Sequence, residues 1–184
     1  MRRLLVALPL VGALALGLLF YFGLEKDNPQ ELRSALLGKP APAFDLPGLD
    51  PAQANLTQAD LKTGKPVLIN MFASWCAPCR VEHPFLIELV EQHGVTLYGI
   101  AYKDDPRATQ RFLDELGNPF AKIGLDRSGR TGIDWGVAGV PETFVVDGSG
   151  TVIFRQWGPI TTRDQQQRLL RILADAAKPA GGAG

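Results

Sequence analysis

Residues 67–72 of this chain read Val-Leu-Ile-Asn-Met-Phe, and Trp75-Cys76-Ala77-Pro78-Cys79 follows almost at once, opening a stretch with helical spacing. A nearly continuous apolar run of strand length fits a strand covered on both faces. A strand buried in this way and passing directly into a helix starts a crossover unit, so the sheet around it needs helices on both sides. That junction constrains the fold more than any other segment, and it contains the only two cysteines of 184 residues.

The flanking patterns extend the same alternation. Apolar residues Val81, Phe85, Leu86, Leu89 and Val90 predict a helix over residues 80–92, with Pro84 expected to kink it and Gly94 to end it. Residues 95–102 read as a second buried strand. Residues 106–116 read as a helix with Phe112, Leu113 and Leu116 on one face, stopped by Gly117-Asn118-Pro119. A short strand at 122–125 and a helical turn at 129–135 follow. Residues 143–147 and 151–157 flank Gly148-Ser149-Gly150 and predict a β-hairpin. Residues 162–177 form an amphipathic closing helix with Leu169, Leu170, Ile172 and Leu173 as its apolar part. Upstream, Thr57-Gln58-Ala59-Asp60 has the form of a helix cap and predicts a short helical turn reaching toward Gly64. Strand, helix, strand, helix, then hairpin and helix gives an α/β fold: a central mixed sheet flanked by helices.

The N-terminus reads as an address. Arg2 and Arg3 precede an uncharged run over residues 4–24 that stops at Glu25-Lys26-Asp27. About 20 apolar residues span a bilayer as a helix, and the arginines favour a cytoplasmic N-terminus. A cleaved signal peptide would have a shorter apolar core of ~7–15 residues followed by a small-x-small site. Here Ala13-Leu14-Ala15 lies inside the run, and Tyr21-Phe22 resembles an interfacial anchor. The organisation expected is an N-terminal transmembrane anchor at 1–24, a tether at 25–42, the folded domain at 43–177 and a flexible tail at 178–184. Hydrophobic content of 46% and charged content of 21% are globular values, and no basic stripe points to nucleic acid.

Two thiols separated by two residues at a helix start suggest redox chemistry. A free thiol titrates near ~8.5, and Cys-x-x-Cys settings lower that to roughly 3.5–7.5. Unpaired amides and the positive end of the helix dipole stabilise a Cys76 thiolate, and Pro78 has no N–H to waste in the first turn. Cys76 is therefore expected to attack and to be the more exposed, with Cys79 resolving the mixed disulfide. A structural disulfide over so small a loop would constrain little of the unfolded chain. Zinc wants four ligands and only His83 and His93 remain as imidazoles. Covalent haem attachment needs Cys-x-x-Cys-His, and Arg80 stands in the fifth position. His83 is read as a surface helix histidine and His93 as a charge partner at the helix end. No metal and no cofactor is expected.

With Val140-Pro141 placed before the hairpin, residues 67–84 resemble the thioredoxin superfamily. That resemblance implies a thioredoxin-like fold and a cis proline at Pro141 facing the cysteines, with Val140 offering its backbone to an extended substrate. Trp75-Cys76-x-x-Cys79-Arg80-x-Glu82, Tyr102-Lys103-Asp104-Asp105, Leu116-Gly117-Asn118-Pro119-Phe120 and Gly136-Val137-Ala138-Gly139-Val140-Pro141-Glu142-Thr143-Phe144 are similar to the membrane-anchored thiol:disulfide interchange proteins of cytochrome c maturation, the CcmG or DsbE type. The resemblance spans residues 37–177 and includes the anchor. It implies a periplasmic dithiol, held at the inner membrane by a single pass, that reduces the cysteines of apocytochrome c or of partner dithiol proteins. Electrons would come from a membrane thiol transporter of the DsbD or CcdA type.

Two positions depart from the pattern. Ala138 stands where the family often has tyrosine, and Asn70 aligns with the buried aspartate of thioredoxins. Any acid assisting Cys79 must then come from elsewhere. Glu82 and Glu142 are the candidates, against readings as a helix-surface and a strand-edge carboxylate. Trp75, Pro78, Glu82, Val140, Pro141 and Glu142 are thus the residues expected around Cys76 and Cys79. Ala77-Pro78 lacks the histidine of strongly oxidising relatives, which favours a reducing poise. A general periplasmic reductase of the TlpA type is an alternative. So is a Cu(I) metallochaperone, although Met1 and Met71 offer poor additional ligands. A peroxidase is suggested only by the peroxiredoxin-like sound of Lys39-Pro40-Ala41-Pro42-x-Phe44.

Overall fold

The computed structural model describes residues 12–14, 16–18 and 35–178. Residues 12–14 and 16–18 are helical. The rest of the expected anchor, most of the tether and all but Lys178 of the expected tail lie outside the described residues. Among the described residues, no helix is long and apolar enough to cross a membrane.

The folded part begins with three short strands, β1 (Lys39–Pro40), β2 (Asp45–Leu46) and β3 (Leu56–Thr57), and a 3₁₀ turn at Gln58–Leu61. Then come β4 (Val67–Phe72), α1 (Ala77–Glu91), β5 (Leu97–Tyr102), α2 (Pro106–Leu116), β6 (Lys122–Asp126) and α3 (Arg130–Asp134). The hairpin of β7 (Glu142–Val146) and β8 (Thr151–Trp157) and the closing helix α4 (Arg163–Ala176) complete it. Six strands form one sheet in the order β1-β8-β7-β4-β5-β6. β4 pairs in parallel with β5, and β5 with β6, while β7 and β8 run antiparallel beside them. This is the mixed sheet expected.

Lys39 and Pro40, expected in the tether, pair with Val152 and Thr151 at the sheet edge. A proline cannot donate to a central ladder, but an edge strand accepts it. The folded unit thus begins before Ala43, within the expected tether. Ala41 follows into the core, where its carbonyl accepts a hydrogen bond from the Gln58 side chain.

All six residues of β4 are buried, and the pleat divides them. Val67, Ile69 and Met71 face a cluster with Leu46, Leu56, Leu61, Trp135 and Phe144. Leu68 and Phe72 face the other cluster, with Leu86 and Leu89 of α1, Phe112 and Leu113 of α2, and Leu169 and Leu173 of α4. Each apolar side chain buried in this way contributes roughly 1.5–3 kcal/mol. Phe72 stacks on Phe120 with centroids 4.6 Å apart, and Gly99 of β5 makes room for both rings. A Cβ there would lie 2.8 Å from Phe72 and 2.9 Å from Phe120. Phe72 is the last residue of the strand that delivers the cysteines, so this packing fixes where they emerge.

Helix α1 begins at Ala77, three residues before the predicted start, because Cys76 itself is the cap. It carries on past Pro84 to Glu91. Its inward positions are held by Cys79, Glu82, His83, Leu86 and Leu89, while Val81 is 59% exposed. The expected apolar face is therefore rotated, and two polar residues occupy core positions. Helix α2 follows its prediction. Asp105 caps it by accepting from Arg107 N (3.0 Å) and Ala108 N (3.1 Å), and Pro106 occupies the first turn. Helix α4 opens on a reciprocal box in which Thr162 and Gln165 exchange side-chain and backbone hydrogen bonds.

Candidate active site

The β4–α1 junction presents Cys76 and Cys79 as a closed disulfide with Cα atoms 5.3 Å apart. Cys76 is the N-cap of α1, and its Sγ accepts from the Cys79 N–H at 3.1 Å. A sulfur at this position meets amides that have no partner within the helix, which favours negative charge on it when reduced. The two cysteines are 3% and 1% exposed, so the expected difference in access is slight.

Val140 and Pro141 arrive from the start of β7. Their peptide bond is cis, as the resemblance implied, and the Val140 carbonyl oxygen lies 3.4 Å from Cys76 Sγ. In the disulfide that sulfur has no proton to give; a reduced thiol could donate to this oxygen. Pro78 faces the same loop across a shallow cavity of about 190 Å³, lined also by Ala138, Gly139, Trp157 and Pro159. Trp75 is 60% exposed, and its Nε1–H donates to the Lys103 carbonyl at 3.3 Å. The fold therefore brings Trp75, Pro78, Val140 and Pro141 to the disulfide.

Glu82 and Glu142 are both fully buried, which overturns their readings as surface and edge carboxylates. Glu82 lies one turn beyond Cys79 on the inward face of α1. Its Oε1 accepts from Asn70 Nδ2 at 2.9 Å and its Oε2 from Ile160 N at 3.0 Å. Burial pushes this carboxyl up to about 7, against the pull of the two hydrogen bonds from Ile160 and Asn70. A carboxyl poised there can hold or accept a proton near neutral pH, the property wanted of a group serving a resolving thiol. Asn70 also donates to Thr143 Oγ1 at 3.0 Å, and its own Oδ1 has no hydrogen-bond partner.

Glu142 pairs across the strands with Met71, so it shares the opposite face of the sheet from Asn70 and its neighbour Thr143. Its Oε1 accepts from Ala138 N at 3.0 Å, and its Oε2 lies 2.6 Å from Arg155 Nη2. That contact is a close charge pair without an aligned hydrogen bond, and Arg155 also donates to the Gly136 carbonyl at 3.2 Å. Glu142 thus braces the loop that carries Val140, and Glu82 is the acid on the cysteine side. His83, read as a surface histidine, is buried instead. Its Nε2 lies 2.9 Å from the Gly117 carbonyl, and its ring meets Phe112 edge-on. Desolvation holds this imidazole below its usual range. Arg155, Thr143 and the Ile160 amide escaped sequence reasoning because each acts on a partner far along the chain.

No cluster of three or more histidine, cysteine, aspartate or glutamate side chains able to hold a metal ion occurs among the described residues. Cys76 and Cys79 are fitted for dithiol–disulfide exchange by their spacing, cap position and the adjacent cis proline.

Known proteins agree with this geometry. The chain is 48% identical over 157 residues to the thiol:disulfide interchange protein HelX of Rhodobacter capsulatus, covering 85% of this chain and 88% of that one. It is 45% identical over 169 residues to the thiol:disulfide interchange protein DsbE of Pseudomonas aeruginosa, covering 92% of each. Among solved structures, a thiol:disulfide interchange protein of the thioredoxin family from Chlorobium tepidum TLS superposes with a TM-score of 0.60 at 28% identity, covering 76% of this chain and 96% of that one. The Redoxin family profile matches residues 36–172. The chain belongs to the Redoxin family, and within it to the thiol:disulfide interchange proteins of the DsbE and HelX kind, oxidoreductases of thioredoxin-like fold.

Proposed function

We propose that this chain reduces disulfides of apocytochrome c, or of the dithiol proteins that prepare it for haem, from a position tethered to the outer face of the bacterial inner membrane. The observation that carries the reading is the seat of Cys76 Sγ between the Cys79 amide and the Val140 carbonyl. The amide favours a thiolate, and the carbonyl beside the cis proline marks a ledge along which an extended polypeptide can lie.

In the forward step the Cys76 thiolate attacks one sulfur of the partner's disulfide. A mixed disulfide forms and the partner's other sulfur leaves as a thiolate. Cys79 then attacks Cys76 Sγ, releasing the partner as a dithiol and leaving the Cys76–Cys79 disulfide seen here. Glu82 takes up the proton that Cys79 gives away. Two electrons have moved to the partner, so the chain must be re-reduced, and a membrane dithiol transporter of the DsbD or CcdA type suits an otherwise oxidising compartment. The apolar run at residues 4–24 supports an anchored location, which would raise the effective concentration of both donor and acceptor.

Cys79→Ser tests this directly, since Cys76 can then attack but cannot be released. Expression in a host that assembles c-type cytochromes should trap apocytochrome c or a maturation dithiol protein as a mixed disulfide. A trapped set of many unrelated secreted proteins would instead indicate a general reductase of the TlpA type. Copper bound with no trapped partner would sink both readings.

A further inference from the structure

Asp104 is the middle residue of the loop between β5 and α2, is buried, and accepts four hydrogen bonds. Two come from the residue two positions before the attacking cysteine: Ser74 N donates to Oδ2 at 2.6 Å and Ser74 Oγ to Oδ1 at 2.7 Å. The other two come from the start of α2, Asp105 N to Oδ1 at 2.9 Å and Thr109 Oγ1 to Oδ2 at 2.9 Å. Only an ionised carboxylate offers about four acceptor sites and no donor. An amide in its place would turn an N–H₂ toward two groups that themselves donate. The neighbouring residue repeats the attachment, because the Lys103 carbonyl holds Trp75 Nε1. Lys103 adopts a left-handed φ of 48°, the one non-glycine residue with positive φ among those described. Such a conformation persists where its surroundings over-determine it. Ser74 and Trp75 are thus held, residue against residue, by Asp104 and Lys103.

We infer that Asp104, acting through Ser74, is a positioning residue for thiol exchange: it fixes the segment entering α1 so that Cys76 Sγ stays on the Cys79 amide. The inference rests on Cys76 being the attacking thiol, but not on which protein it attacks. Loosening Ser74 lets the cap sulfur drift from the 3.1 Å contact that favours its anion. The carboxylate itself remains on the Asp105 N–H, so the charge near the site is unchanged when only Ser74 is altered.

The test uses the reduced full-length chain carrying Cys79→Ser, in which Cys76 is the single thiol, and follows iodoacetamide alkylation against pH. Adding Ser74→Ala should slow alkylation at neutral pH by about threefold and move the profile to higher pH, the size expected for losing one hydrogen bond. Ser74→Thr, which keeps the hydroxyl, should restore it. Asp104→Glu keeps the charge but displaces it by one methylene, and should shift the profile in the same direction as Ser74→Ala. Thr109→Ala removes a bond from the same carboxylate on the α2 side; it should lower the unfolding temperature comparably and leave the profile unmoved. If Ser74→Ala and Asp104→Glu lower only the unfolding temperature, with alkylation profiles matching that of Thr109→Ala, the positioning role is refuted. Because alkylation needs no protein partner, this outcome is separable from failure to trap apocytochrome c.

Discussion

Helices α1 and α2 pack on the same face of the sheet and start alike, yet they use the start differently. Each has a capping side chain and a proline in its first turn. In α2 the cap is the Asp105 carboxylate, which satisfies two amides and gives the helix a firm beginning. In α1 the cap is the Cys76 sulfur, a weaker acceptor that takes one amide, from Cys79. The inward faces differ in the same sense: α2 buries Thr109, Phe112 and Leu113, whereas α1 buries Cys79, Glu82 and His83 ahead of its leucines. The orphan amides of a helix terminus can secure the helix or sustain a nucleophile, and this molecule does one in each.

The largest effect should come from exchanging the two uses. Cys76→Ser replaces the nucleophile with an alcohol that is a good helix cap. Reduction of a protein disulfide by the variant should fall by at least about a thousandfold, since hydroxyl does not exchange with disulfides. The unfolding midpoint of the reduced protein should hold or rise. A fall in midpoint would show that sulfur was capping better than the comparison allows.

Glu82→Gln probes the polar inward face of α1. Glu82 has a folded value of about 7 against an ordinary 4.5, so between those values the folded state holds more proton than the unfolded one. Stability from this group is full below the unfolded value and is lost as pH rises through the folded one. Removing the charge should therefore favour the variant by about 3 kcal/mol more at alkaline pH than at acid pH, where the glutamine amide must turn its N–H₂ toward Asn70 Nδ2 or Ile160 N, read by denaturant unfolding at both. Equal effects at both pH values would place the gain in packing rather than titration. The resolving step, timed by release of a trapped mixed disulfide, should slow and lose its dependence on pH near neutrality.

Asp105→Ala should cost about 1 kcal/mol, the usual worth of a cap, and leave disulfide reduction within about twofold of the parent. A large loss of activity would mean that the two helix starts are coupled. The smallest effect is expected at Val81. Its side chain is exposed, so Val81→Ser should change stability by less than about 0.5 kcal/mol.

Val81 also marks the limit of what the sequence reveals. Strand β4, helix α2, the hairpin and the closing helix were legible because apolar period and caps are local signals that here agree. In α1 the helical period was visible but its phase was not. Glu82 and His83 take inward positions through partners that lie far away: the Ile160 amide and Asn70 for one, the Gly117 carbonyl for the other. A polar side chain carries no mark of whether its partner will be water or a distant amide. The cysteine pair was legible for the opposite reason, since Cys-x-x-Cys at a helix start states its geometry within four residues. The bracing of Val140 by Glu142 and Arg155 again needs strands paired in space.

The sulfur cap links reactivity to driving force. Whatever makes Cys76 a better anion also stabilises the reduced protein over its disulfide, and a stabilised dithiol gives up electrons less readily. A reductant cannot strengthen its cap without becoming a weaker donor. With sulfur on the Cys79 amide and only alanine and proline between the thiols, α1 combines a moderate anion with a pair still willing to close. Adding a second donor to Cys76 Sγ would quicken its attack and at the same stroke push the molecule toward being an oxidant.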